Sequence, residues 1–394
     1  MIRFAQSPTD LSFVQDPYPF YDHLRQAGDL AWWEDYNMPV SARHAVVSGI
    51  LRDRRFGREE PAALRQPVPE HLAPFYAVEA HSMLELEPPR HTRLRGLVLR
   101  AFTSRKIATL EPEIAQLCHQ LIDTFPTGPF DLIPHFAQKL PVIIIARLLG
   151  VPETMADQLL AWSNAMVTMY QSRRMHEDEL NAVAATQEFT QFLSDYIERR
   201  RASPTDDLIS SLIAAETEGE KLSHDEMISS CILLLNAGHE ATVHTLGNGI
   251  RTLLNQSLLD FGSPQVLAEE VLRHDPPLHM FTRYALEDIE LFDHQFKCGD
   301  QIGLLLAAAN RDPDVFDEPA RFDPARFAAG KSAPVHMSLG AGLHFCVGAP
   351  LARLEIATAL PILLERCPNL SLVDTPTYAN LYHFHGLERL MVSR

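Results

Sequence analysis

Three stretches of this sequence carry residue types at spacings that suit chemistry, and the most pointed of them surrounds Cys346. It reads Ser338-Leu339-Gly340-Ala341-Gly342-Leu343-His344-Phe345-Cys346-Val347-Gly348. Beyond it Leu351, Leu354, Ile356, Leu360 and Leu363 recur at helix-like spacing, which predicts a helix starting just after the cysteine. Unpaired N–H groups and the positive dipole end of a helix start favour a thiolate over a thiol. Gly340, Gly342 and Gly348 admit the close approach of something large and flat, or backbone angles that other residues resist. A thiolate in such a turn suits a soft metal, haem iron among the candidates. Plainer readings exist. A lone cysteine near a helix start is usually buried and inert. Gly340-x-Gly342 could open a dinucleotide loop, but Phe345 stands where the third glycine belongs and no clear strand precedes the turn. A zinc site would need more ligands than His344 and Cys346 supply locally.

The second stretch is Ala237-Gly238-His239-Glu240-Ala241-Thr242. It lies within an apolar-periodic run that opens on the capping box Ser223-His224-Asp225-Glu226 and continues to about Leu254. A glycine and a glutamate inside a buried helix are both costly. An ion-paired glutamate at the core edge is one explanation; a functional groove is the other. The third stretch, Arg90-His91-Thr92-Arg93-Leu94-Arg95, puts His91 and Arg95 four apart, on one helix face. Two donors so placed suit a carboxylate partner, or form a solvated basic face.

Taken together these stretches resemble the cytochrome P450 family. The Cys346 loop is similar to that family's haem-binding pattern, F-G-x-G-x-H-x-C-x-G-x-x-L-A, with Leu339 where Phe is usual. In the family that ring packs near the sulfur, so the departure bears on the tuning of the haem and not on its presence. The resemblance implies haem b with Cys346 as axial ligand, and His91, Arg95, Arg283 and His344 on the propionates. It implies that Gly238 leaves room for O2 and substrate and that Glu240 joins a proton path. The family pattern A-G-x-[DE]-T ends here on Ala241, and Thr242, one residue on, lies about 100° around the helix. Three readings of Ala241 stand: a polar group of the substrate completes the water network, another donor such as His239 helps, or the enzyme uses peroxide or does other chemistry.

Further matches follow the same pattern. Glu270 and Arg273 form E-x-x-R, and Pro319-Ala320-Arg321-Phe322 resembles P-x-R-F. The resemblance implies a Glu270–Arg273–Arg321 network bracing the cysteine loop. It also makes Phe75, Met83, Met169, Leu278, Met280, Phe281 and His383 pocket-lining candidates, with His279 beside them. The expected activity is insertion of one oxygen atom from O2 into a small organic substrate. Electrons would come from NAD(P)H through a reductase and a ferredoxin docking on a basic face around Arg90, Arg93, Arg100, Arg105 and Lys106. A peroxide-driven oxygenase and a non-catalytic haem-binding sensor are the alternatives.

The elements that must position these residues are mostly helices. A short helix is predicted after Asp16-Pro17, strand pieces at Ala31-Trp32-Trp33 and Met38-Pro39-Val40, and a helix over 45–51. Residues 58–82, with Pro61, Pro67, Pro69 and Pro74, read as a long loop, which in the family roofs the pocket. From Glu111 to Ala215 the pattern is helical, broken near residues 126–129, 152 and 202–204. The expected fold is mainly α with small β regions (α+β), one near each end, in a single domain spanning 1–394. Apolar content of 46% with 22% charged residues suits a globular chain. A net charge of −17 argues against a nucleic-acid partner. Five scattered cysteines suit a reducing cytoplasm, and neither a signal peptide nor a membrane span is expected.

Overall fold

Capping residues and apolar spacing put most helices where the sequence predicts them. A computed structural model of the chain describes residues 1–171, 174–215, 219, 221–256, 261–328, 334–382 and 384–394. The described chain is mainly helical with three small sheets. It divides into two compact units, each assembled from segments distant in sequence. The first holds Met1–Leu64, Ala115–Ala137 and Ala241–Arg394, and the second holds Arg65–Ile114 and Gln138–Glu240.

The first unit contains the sheets. Six strands lie in the order Arg3–Phe4, Ala31–Trp33, Met38–Ser41, Gln301–Leu305, Met280–Ala285 and Phe56–Gly57. The N-terminal strands therefore do not form a separate β region; Val40 pairs with Gly303, more than 250 residues on. Gly303 is needed there because a Cβ would press on Met280 Sδ and Val40 Cγ1, both 2.9 Å away. A second sheet joins Ser371–Leu372, Met391–Ser393 and Phe130–Asp131. Two apolar clusters fill the unit's interior, one around Val47, Phe296 and Met337, the other around Tyr21, Trp33 and Leu305. The helix Pro264–His274, capped by the Ser263 side chain, buries Leu267, Ala268, Glu270, Val271, Leu272 and Arg273. The helix Ala349–Arg366 follows the cysteine loop with Pro350 in its first turn, a position where the missing N–H costs nothing.

The second unit is helical. Lys139–Leu149 is buried on nearly all sides and ends on Gly150 at φ +81°. The helix His176–Ala202 has acids in its first turn and three arginines in its last, complementing its dipole. Residues 58–82 are less irregular than expected: a 3-10 turn Glu70–Leu72 leads into a helix Ala73–Glu79. Pro74 lies in that helix's first turn, where proline starts a helix and does not break it.

The 33-residue helix His224–Gln256 runs through the boundary between Glu240 and Ala241. Its expected capping box is present: Glu226 N donates to Ser223 Oγ at 3.2 Å, and Ser223 N donates to Glu226 Oε2 at 2.9 Å. Among the described residues, no helix is long and apolar enough to cross a membrane.

Candidate haem-thiolate site

The five cysteines sort by surroundings. Cys118, Cys231 and Cys367 are buried, and burial pushes the Cys118 and Cys231 thiols up to about 12, so they stay protonated and inert. Cys298 is exposed on the surface, its thiol donating to Leu286 O at 3.3 Å. Cys346 alone is half-buried, in the glycine-shaped loop ahead of the helix Ala349–Arg366. Its N–H donates to Leu339 O at 3.0 Å, which closes the loop.

Gly340 and Gly342 both sit at φ +68°, the left-handed region that favours glycine. A Cβ on Gly342 would collide with the Leu51 carbonyl, and one on Gly340 would come within 3.4 Å of Phe281 Cε2. Phe281 and Arg283 are two apart on the strand Met280–Ala285 and so share a face. The Arg283 guanidinium lies 5.9 Å from the Phe281 ring centre and donates to Thr282 O at 2.8 Å. His344 is half-buried, in the 3-10 turn Gly342–His344. The first unit thus offers a half-buried sulfur, a loop that only glycines allow, and an imidazole and a guanidinium beside it. That donor set fits an iron porphyrin with carboxylate substituents.

A chain of hydrogen bonds fixes this loop from behind. Glu270 and Arg273 are fully buried and form a bidentate pair, both bonds 2.7 Å. Arg273 Nη1 donates to Asn310 O at 3.0 Å. Asn310 Nδ2 donates to Ser338 Oγ at 2.7 Å, and Met337 N donates to Asn310 Oδ1 at 2.6 Å. Ser338 Oγ donates to Leu272 O at 2.5 Å. The third side chain at Glu270 is Arg326, 3.4 Å away and 10% exposed, and not Arg321. Arg321 is 61% exposed and pairs with Glu318, giving only its carbonyl to Arg273. The P-x-R-F pattern occurs twice, at Pro319–Phe322 and Pro324–Phe327, and the second copy carries the buried arginine.

The second unit carries His91 and Arg95, four apart on the helix Arg90–Ala101; His91 is buried and Arg95 half-buried. Two members of the expected basic face are already paired: Arg93 with Glu226, and Lys106 with Asp206 at 3.3 Å. Arg90, Arg100 and Arg105 are exposed. In the long helix, Leu233, Ala237, Gly238 and Glu240 remain accessible while residues 234–236 and His239 are buried. A Cβ on Gly238 would meet only Ile145 Cδ1, at 3.8 Å. Glu240 Oε1 lies 4.0 Å from His239 Nδ1. In the first unit, Ala241 is half-buried, its carbonyl accepts from Thr245 Oγ1 at 2.6 Å, and Thr242 is buried.

The expected pocket residues divide. Phe75, Met83 and Met169 are buried in the second unit, with Phe75 edge-on to Tyr76 and Tyr170. Leu278 is half-buried. Met280 and Phe281 are also half-buried, and each packs on a different apolar cluster, as alternation on a strand requires. His383 lies outside the described residues. His279 is fully buried, its Nδ1 2.9 Å from Tyr21 Oη, so it belongs to an interior network and not to a ligand surface. That network, with Asp275 and His385, gave no signal beyond single histidines in the sequence.

Comparison with known proteins agrees with the geometry. Residues 56–257 and 265–377 match the cytochrome P450 family model. The chain is 35% identical over 381 residues to the cytochrome P450 monooxygenase PikC of Streptomyces venezuelae, covering 92% of this chain and 87% of that one. It is 37% identical over 397 residues to the vitamin D(3) 25-hydroxylase of Pseudonocardia autotrophica, covering 97% and 94%. The crystal structure of P450BioI in complex with acyl carrier protein ligated to hexadec-9Z-enoic acid superposes with a TM-score of 0.89 at 33% identity, covering 97% and 99%. With the cysteine loop, the Glu–Arg–Arg network and the fold all in agreement, the chain belongs to the cytochrome P450 family and is a haem-dependent monooxygenase.

Proposed function

We propose that this enzyme inserts one oxygen atom from O2 into a small organic substrate, using haem b and electrons delivered from NAD(P)H through a ferredoxin reductase and a ferredoxin. Bound haem supplies dioxygen activation and oxygen transfer. The chain's residues supply the rest. Cys346 Sγ would hold the iron of a bound haem, and the helix start behind it favours a sulfur anion there. Arg283 and His344 in the first unit, and His91 and Arg95 in the second, are the residues that would hold the propionates of a bound haem. Gly238 keeps the helix surface clear for O2 and substrate. Glu240 carries protons inward, and with alanine at 241 a polar group on the substrate completes the water network. Phe75, Met83, Met169 and Leu278 contribute apolar lining. Arg90, Arg100 and Arg105 are exposed positive charges that suit an acidic electron donor.

The observation that carries this reading is the Cys346 loop: a half-buried sulfur, two left-handed glycines and a bonded path from Met337 and Ser338 to Arg273. The test is the carbon-monoxide difference spectrum of the reduced protein, expected near the thiolate position and lost in Cys346→Ser. Turnover is then compared between a ferredoxin system and peroxide, over steroids, polyketides, free fatty acids and acyl chains on a carrier protein. Faster turnover with peroxide alone would move the assignment to the peroxide-driven class. Ala241→Thr should change the ratio of product formed to reductant consumed; an unchanged ratio would remove the substrate's polar group from the proton path.

A further inference from the structure

Away from the cysteine loop, the second unit brings two histidines and a glutamate together at its surface. His71 sits in the 3-10 turn Glu70–Leu72, and His176 and Glu179 lie three apart in the first turn of the helix His176–Ala202. Residues three apart on a helix share a face, so His176 and Glu179 present their ligand atoms to the same point. His71 reaches that point from more than 100 residues away. Its Nε2 is 2.9 Å from Glu179 Oε2, and His176 Nδ1 is 3.5 Å from the same oxygen. The two rings stand edge to face, with centres 5.0 Å apart. One ligand atom from each residue lies within 4.8 Å of the others.

We propose that His71, His176 and Glu179 form a binding site for one divalent transition-metal ion of the zinc class. Tetrahedral zinc with bonds of about 2.0–2.1 Å sets neighbouring ligand atoms roughly 3.3 Å apart. The two separations involving Glu179 Oε2 bracket that value, so little rearrangement is needed. Two imidazoles and one carboxylate are ligands zinc accepts, with a water completing the shell. Arg174 Nε donates to the other carboxylate oxygen, Oε1, at 3.0 Å, which holds Glu179 with Oε2 toward the histidines. The side chains of His71 and His176 are 36% and 69% exposed, so an ion can enter from solvent. Its ligands come from two separate segments. A bound ion therefore ties residues 70–79 to the start of the 27-residue helix, beside the existing Tyr170 Oη to Glu79 Oε2 bond of 3.2 Å. A slower entry of substrate on metal binding would follow only if residues 58–82 roof the pocket, as the resemblance to the family implies.

The test uses purified haem-loaded protein carrying Cys298→Ser, which removes the exposed thiol as a competing ligand. Zinc chloride is titrated against a chromophoric chelator, and bound metal is counted by mass spectrometry. One zinc per chain is expected, with affinity falling about tenfold or more in each of His71→Ala, His176→Ala and Glu179→Gln. Amide hydrogen exchange in residues 70–79 should slow on zinc addition, and should not in His71→Ala. Equal zinc affinity in the His71→Ala/His176→Ala double variant overturns the site. Zinc binding with unchanged exchange at 70–79 overturns the clamp. Neither readout involves turnover, so the result stands apart from the fate of the reaction proposed above.

Discussion

Asp275, His279 and His385 in the first unit have the same composition as His71, His176 and Glu179 in the second: two imidazoles around one carboxylate, their ligand-capable atoms within 4.8 Å of one another. Their surroundings are opposite. The first set is sealed, each residue 5% exposed or less. Asp275 accepts hydrogen bonds from Tyr18 Oη at 3.0 Å and from Tyr378, while Tyr21 holds His279. The Arg311 guanidinium lies 3.3 Å over the Tyr18 ring, and Arg251 donates to Tyr378 Oη at 2.5 Å. Burial by itself would raise the Asp275 carboxyl, but His385, Arg311 and the Tyr378 hydroxyl hold it down at about 2. Burial pushes His385 down to about 4 and holds His279 well below the ordinary imidazole value, against the pull of Asp275. Near neutral pH both imidazoles are therefore uncharged, and the carboxylate depends on Arg311 and the phenols. Two imidazoles and a carboxylate thus form an interior hydrogen-bonded network when enclosed, and an open set of candidate metal ligands when left at the surface.

The sharpest way to break this comparison is to remove each carboxylate. Asp275→Ala strands three buried partners and a guanidinium whose counter-charge is gone, so unfolding in urea should show a loss on the order of 3–5 kcal/mol. Glu179→Ala, in metal-free protein, should leave the urea midpoint unchanged, because its partners turn to solvent. Equal losses at the two sites would mean that enclosure does not distinguish them.

Acid should separate the two sets next. Unfolded chains take up a histidine proton near pH 6.5, while folded His385 refuses it until about pH 4. Its contribution is thus complete above 6.5 and is lost as pH falls toward 4, and the gap corresponds to on the order of 3 kcal/mol. Glu355 works the other way. Burial raises its carboxyl to about 8, so the folded state holds an extra proton from 4.5 to 8 and stability falls as pH rises there. The raw pH profile therefore mixes both, and the measurement is the stability difference between wild type and His385→Gln. That difference should shrink by about 3 kcal/mol between pH 7 and pH 4. A constant difference would show that His385 takes up its proton at the same pH in the folded and unfolded chain, so that enclosure does not hold the proton off.

What could be read from the sequence follows from how local the signal was. The capping box at Ser223 and Glu226, the glycine loop at Cys346 and the Glu270–Arg273 pair all lie within a few residues, and all three form as expected. Pro74 misled because a proline reads as a breaker unless its place in the turn is known. Arg321 and Arg326 sit in identical Pro-Ala-Arg-Phe tetrapeptides, and only the packing against the helix Pro264–His274 selects the second. His71 and Glu179 are 108 residues apart, and His279 and His385 nearly as far, so no spacing rule joins them. His279, expected near the substrate, is instead fully enclosed among tyrosines.

Glu270 sharpens the comparison with a smaller effect. It is as deeply buried as Asp275 and five residues away, but its partners are Arg273 and Arg326, which stay charged at any ordinary pH. Arg326→Ala removes one of them and leaves the bidentate Arg273 pair intact, so the expected loss in urea unfolding is about 1–3 kcal/mol. Arg321→Ala, at the surface, should stay within about 0.5 kcal/mol. The decisive readout is the pH dependence. The Arg326→Ala loss should be the same at pH 7 and pH 4.5, since no imidazole takes part, whereas the His385→Gln difference shrinks over that interval. A loss at Arg326→Ala that also changed with pH would show that the arginine-held site is not independent of acid. The distinction between a charge held by arginines and one held by phenols beside neutral histidines would then fall.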